Sequence, residues 1–132
     1  MAADYAYRAR RCLREAGLSL READYPGVVR RSQEALELAV KALLRYHGIE
    51  YPHEHDVGDA LPELKGKVGS NLEVILQDLK ELLGELSKLR GPAMYGYERE
   101  GIPPSRVFSA KYAQETFAKV SSLVNECLAA LA

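Results

Sequence analysis

The 132-residue chain carries 18 Lys and Arg against 19 Asp and Glu, a formal net charge of -1, and is 47% hydrophobic. That is the balance of one globular domain, residues 1–132, long enough to bury a core without disulfide or metal staples. The near-neutral charge argues against general duplex-DNA binding, which draws on a surplus of cations to release counterions. No apolar run approaches the ~20 residues needed to cross a bilayer.

In chain order, the first expected helix runs from an Asp4 N-cap to about Ala23 and presents Ala6, Ala9, Leu13, Ala16, Leu20 and Ala23 on one face. Asp24-Tyr25-Pro26-Gly27 reads as a turn, with Pro26 opening a second helix that extends to about His47 before Gly48. This helix is expected to bury Val28, Ala35, Leu36, Ala39, Leu43 and Leu44. Ile49 to Asp59 reads as a loop, Asp59 as the cap of a short helix near Leu61-Pro62, and Ser70 or Asn71 as the cap of the next long helix. In that helix Leu72, Ile75, Leu76, Leu79, Leu82, Leu83, Leu86 and Leu89 recur at helical spacing and carry the chain to Arg90, where Gly91-Pro92 predicts a stop. Ser109 caps a last helix that buries Ala113, Phe117, Val120, Leu123, Val124, Cys127 and Leu131. With no strand-period segment, the expected fold is all-α: an up-and-down bundle of four main helices plus one short one.

The charge is uneven. Arg8, Arg10, Arg11, Arg14, Arg21, Arg30 and Arg31 enrich the first half, while Glu54, Asp56, Asp59, Glu63, Glu73, Asp78, Glu81 and Glu85 fill the middle. Cys12 and Cys127 both fall in apolar helical patterns near opposite ends of the chain, so they read as buried small hydrophobes, with a disulfide left open. The N-terminal MAADYAYRARRC has no continuous apolar stretch of the signal-peptide kind, and a cytoplasmic location is the expectation.

The stretch Ser87–Pro104, SKLRGPAMYGYEREGIPP, holds the chemistry a bundle does not need. Arg90, Tyr95, Tyr97 and Arg99 are the candidate site residues, facing a nucleotide or RNA ligand or a dimer cleft. In an extended segment Tyr95 and Tyr97 would point the same way, to stack bases or to fill the groove between two protomers. Arg90 at a helix end would equally serve the helix dipole. His53 and His55 in PHEHD lack the spacing and partners of a metal site, and the serines lack a nucleophile-elbow context. No metal or other cofactor is implied.

GLSLREADYPGVVRRSQEALELAVKALLRYHG, residues 17–48, resembles the opening helical hairpin of HEPN domains: Tyr25 at the turn, then Ala35, Glu37, Ala39, Lys41, Ala42, Leu43 and Leu44, then Gly48. His55-Asp56-Val57 with Leu61 is similar to the entry to the family's third helix, and the likeness extends to Tyr112-Ala113. The resemblance implies a bundle that dimerises through helix faces, and in many members an Arg-x4–6-His motif that cleaves RNA. In such a motif His would act as the general acid/base and Arg would meet the developing phosphorane charge. Here Arg90 is followed five residues on by Tyr95, and no His occurs after His55. Tyr, with an unperturbed pKa near ~10, is a poor base at neutral pH. What the resemblance then implies is the non-nucleolytic branch: a non-catalytic nucleotide- or protein-binding module, homodimeric, accompanying a minimal nucleotidyltransferase in a toxin–antitoxin-like pair. The alternatives are a metal-independent RNA endonuclease using Arg90 and a structural protein-interaction module.

Overall fold

The computed structural model describes residues 1–51 and 56–131. Four long helices, α1 (Ala2–Arg21), α2 (Tyr25–Tyr46), α3 (Ser70–Tyr95) and α4 (Ala110–Ala129), are joined by 3₁₀ segments at Val57–Leu64, Glu98–Glu100 and Pro104–Arg106. The all-α bundle read from the sequence is the fold observed.

Helix α2 occupies the centre. Val28, Val29, Ala35, Leu36, Ala39, Val40, Ala42, Leu43 and Leu44 are wholly excluded from solvent, so the helix is apolar on most of its circumference, as an enclosed helix must be. Each of its leucines contributes about 1.5–3 kcal/mol by leaving water. Helix α1 lies along α2 through Ala6, Ala9, Cys12, Ala16 and Ser19, all small, which lets the two axes approach closely. Helices α3 and α4 pack on other sides of α2 but meet each other only lightly. The described hydrogen bond between them runs from the Tyr112 hydroxyl to Glu85 Oε2 at 3.0 Å.

Local capping explains most boundaries. Asp24 Oδ1 accepts from the Gly27 N–H at 3.0 Å to start α2, Asp56 Oδ1 from Gly58 at 2.9 Å to start the 3₁₀ segment, and the Ser109 hydroxyl from Tyr112 at 3.0 Å to start α4. Four expectations are corrected. Helix α1 begins at Ala2 rather than at an Asp4 cap. The short helix is 3₁₀ and capped by Asp56 rather than Asp59, and neither Ser70 nor Asn71 caps α3, whose N-cap is Gly69.

The fourth correction matters most. Gly91-Pro92 does not end α3, which continues to Tyr95, with Gly96 at φ +67° as its C-cap. A proline inside a helix removes one N–H and crowds the preceding turn, and its ring collides with the Cβ of the residue before it. Glycine at 91 has no Cβ, so that collision vanishes. The buried stripe Leu72, Leu76, Leu79, Leu83, Leu86 then takes one further heptad step to Ala93, which is 3% exposed. Burial of that last turn outweighs the one missing hydrogen bond.

Candidate functional site

Because α3 continues past Pro92, Arg90 sits within a helix and not at its end. Its side chain lines a cleft of about 360 Å³ where α1, α2 and α3 converge, together with Arg8 of α1 and Arg30, Gln33, Glu34, Glu37 and Lys41 of α2. On α2 the polar residues 30, 34, 37 and 41 follow one another at helical spacing, a narrow polar stripe on an otherwise buried helix. Gln33, 5% exposed, donates from Nε2 to Glu37 Oε2 at 2.8 Å, and Lys41 Nζ lies 3.3 Å from Glu37 Oε1. Lys41 and Glu37 are thus locked together. Arg8, Arg30 and Arg90 have no carboxylate within 4 Å among the described residues. The described lining carries the cations Arg8, Arg30, Lys41 and Arg90 against the carboxylates Glu34 and Glu37, so it is cationic on balance, and an anion among the three guanidinium groups would gain charge-assisted hydrogen bonds.

The other sequence-derived candidates lie elsewhere. Tyr95, Tyr97 and Arg99 border a separate, shallow depression with Pro92 and Gly96. Tyr95 closes α3 and is therefore not in an extended segment, so the expected alternation of Tyr95 and Tyr97 across Gly96 does not apply. Tyr97 instead starts a tight loop: its N–H donates to Ile102 O at 2.8 Å and its carbonyl accepts from the Ile102 N–H at 3.0 Å. Both residues are solvent-exposed, at 61% and 42%, as is Ile102, which the two backbone hydrogen bonds hold opposite Tyr97. Arg99 is flanked by Glu98 and Glu100, which offset its charge. The structure therefore splits the predicted set, placing Arg90 in a cationic cleft and the other three on a neighbouring surface.

A roomier groove of about 660 Å³ separates α3 from α4, but its polar rim is Asp78, Glu81 and Glu85 against a single Lys119, the wrong sign for a phosphate. Among the described residues no group of three or more His, Cys, Asp or Glu converges as a metal site. Cys12 and Cys127 are free and buried, and the disulfide left open by the sequence is not formed. Burial pushes the Cys127 thiol up to about 12 and the Cys12 thiol up to about 11. His53 and His55 lie outside the described residues, and His47 follows α2 with its ring edge-on to Tyr46 at 5.1 Å.

The family model of the HEPN domain matches residues 2–130. The chain belongs to the HEPN family. No curated protein and no solved structure matches it. A HEPN domain is a nucleotide- or RNA-related module, which gives the cationic cleft its context. No helix among the described residues is long and apolar enough to cross a membrane.

Sequence reasoning missed Arg8, Arg30 and Lys41 as neighbours of Arg90. The signal was present in the polar stripe on α2, because residues at i, i+4, i+7 and i+11 that interrupt a buried helix must face a ligand, a partner or an opening.

Proposed function

We propose that this HEPN domain is a non-catalytic module that recognises the phosphate of a nucleotide or of RNA, and that it works as a homodimer beside a minimal nucleotidyltransferase in a toxin–antitoxin-like pair. The observation that carries the reading is the convergence of Arg8, Arg30 and Arg90 on one cleft, none of them in an ion pair with a carboxylate among the described residues. Preorganised guanidinium groups hold phosphate bidentately.

Two features support the non-catalytic half. None of the described side chains lining the cleft is a histidine, and Tyr95, five residues after Arg90, lines the neighbouring depression instead. A 2′-hydroxyl held at Arg90 would find no described imidazole there to deprotonate it, and of the carboxylates present Glu37 is engaged by Gln33 and Lys41. The exposed Tyr95, Tyr97 and Ile102 support a protein contact, since aromatic side chains are enriched where proteins meet.

The test combines thermal denaturation with a cleavage assay. Phosphate or AMP at ten times its Kd should raise stability by about 1.4 kcal/mol, a Tm shift of roughly 5 °C, and Arg90→Ala should remove that shift. Single-stranded RNA in EDTA should remain intact. Cleavage that disappears in Arg90→Ala would establish the ribonuclease alternative. For the assembly, a native mass spectrum should show a dimer alone and a heteromer with the nucleotidyltransferase. A monomer in both samples would remove the partner half of the proposal.

A further inference from the structure

The cationic cleft does not end at Arg90. Arg30 and Met94 line it and also line a second cleft, of about 500 Å³, whose wall is completed by Asp24, Pro26, Ala93, Pro104 and Ser105. The two clefts adjoin at Arg30 and Met94, beside the N-terminal half of α2. One end is guanidinium-rich, and the other is an apolar shelf of Pro26, Ala93, Met94 and Pro104 with polar groups at its edge. Arg30 to Pro26 and Arg90 to Met94 are each four helical residues, about 6 Å along their axes. That offset is comparable with the separation of a nucleotide's phosphate and base.

The shelf has a reading edge. Asp24 uses Oδ1 to cap α2, and its Oδ2 makes no hydrogen bond among the described residues. A Cβ at Gly27 would collide with that carboxylate, so glycine at 27 is what allows Asp24 to lie where it does. A carboxylate only accepts hydrogen bonds. Guanine offers two adjacent N–H donors on its Watson–Crick edge, whereas uracil offers one between two carbonyls that repel a carboxylate. Proteins read unstacked bases by such edge contacts together with apolar packing on the ring faces. Asp24 also fixes polarity, because the reverse orientation would set a phosphate against a carboxylate.

We propose that this groove binds one nucleoside 5′-phosphate unit, with its phosphate among Arg8, Arg30 and Arg90 and its base on the Pro26–Met94–Pro104 shelf, and that Asp24 selects guanine. The inference rests on the phosphate recognition proposed above and adds the base to it.

Calorimetric titration of the whole protein with inorganic phosphate, GMP and UMP separates the two claims. GMP should bind at least tenfold more tightly than UMP. Asp24→Asn, which keeps an equally good N-cap, should erase that preference and leave phosphate binding unchanged. Ser105→Phe, an exposed change at the shelf, should weaken GMP and spare phosphate. Arg90→Gln should weaken all three ligands. If GMP, UMP and phosphate bind equally, the base subsite is overturned while phosphate recognition stands; if none binds, phosphate recognition fails and the base subsite with it. A tetranucleotide containing one G distinguishes the sources. Binding more than tenfold tighter than GMP and sensitive to Asp24→Asn assigns the unit to an RNA strand, and equal or weaker binding assigns it to a free nucleotide. Binding of the tetranucleotide that ignores Asp24→Asn, with GMP silent, overturns the groove.

Discussion

Gly96→Ala isolates the joint between α3 and the tyrosine loop. Gly96 has φ +67° and ψ -156°, a region nearly closed to residues with a side chain. An added Cβ would collide with the Ile102 carbonyl oxygen and stand 2.8 Å from Pro103 C and 2.9 Å from Pro104 N, all backbone atoms with no rotamer to yield. The dihedral penalty is about 1–3 kcal/mol and the overpacking about 1–3 kcal/mol more. The chain has a cheaper escape, opening the loop and losing the two Tyr97–Ile102 hydrogen bonds, at about 0.5–1.5 kcal/mol each. The cheaper route sets the outcome, so the expected loss is about 1–3 kcal/mol, with Tm lowered by roughly 4–10 °C. Gly84→Ala is the matched control: it lies inside α3, its added Cβ meets nothing within 4 Å, and helix propensity predicts a gain of about 0.5–1 kcal/mol. Urea titration of both variants at constant m would check the pair. A Gly96→Ala midpoint within 0.5 kcal/mol of wild type would refute the argument from backbone crowding.

Three further outcomes are expected. Ala23 is the one non-glycine with positive φ, +59°, among the described residues; Ala23→Gly should relieve about 1–2 kcal/mol of left-handed strain less about 0.4–1 kcal/mol of added chain entropy, so its urea midpoint should rise, and an unchanged midpoint would contradict this. Gly91→Ala should destabilise where Gly84→Ala stabilises, because a Cβ before Pro92 restores the pre-proline clash within a helix; equal stabilisation of the two would remove the explanation given for the continuity of α3. In alkali, Tyr112 is pushed from 10.0 up to about 12, first by burial and then by the Glu85 carboxylate that accepts its hydrogen bond. The folded state keeps a proton that the unfolded chain has already released, so this contribution is complete below pH 10.0 and is lost as pH rises towards about 12. Tyr112→Phe should flatten the fall in stability over that window, and an unaltered pH profile would show that the hydroxyl is not responsible.

The bundle was legible because its signals are local and redundant: leucine spacing in α3, small residues along α1, and Asp24, Pro26 and Ser109 at helix starts. The end of α3 is not legible, because Gly91 and Pro92 each resemble a stop signal. In sequence the pair is ambiguous, since glycine is also the residue that relieves the clash of a helical proline. Only the heptad step from Leu86 to Ala93 favours continuation, and that step has weight once something is there to bury Ala93. The site was half legible. Arg90 was visible beside its motif, but Arg8 and Arg30 reach it through the crossing of three helices, and no sequence window contains that crossing. Their charges read as solvated surface until the fold placed them around a common opening.

The unequal seating of the helices has a consequence in time. Helix α2 is enclosed by its three neighbours, whereas α3 leans on α2 and the first 3₁₀ segment, barely touches α4, and lacks one backbone bond at Pro92. Amide protons of α2 should therefore exchange with solvent deuterium only through global unfolding, while those of α3 escape through smaller openings. The wall carrying Arg30 is anchored and the wall carrying Arg90 breathes. An anion held between them would slow deuterium uptake in α3 and leave α2 as it was.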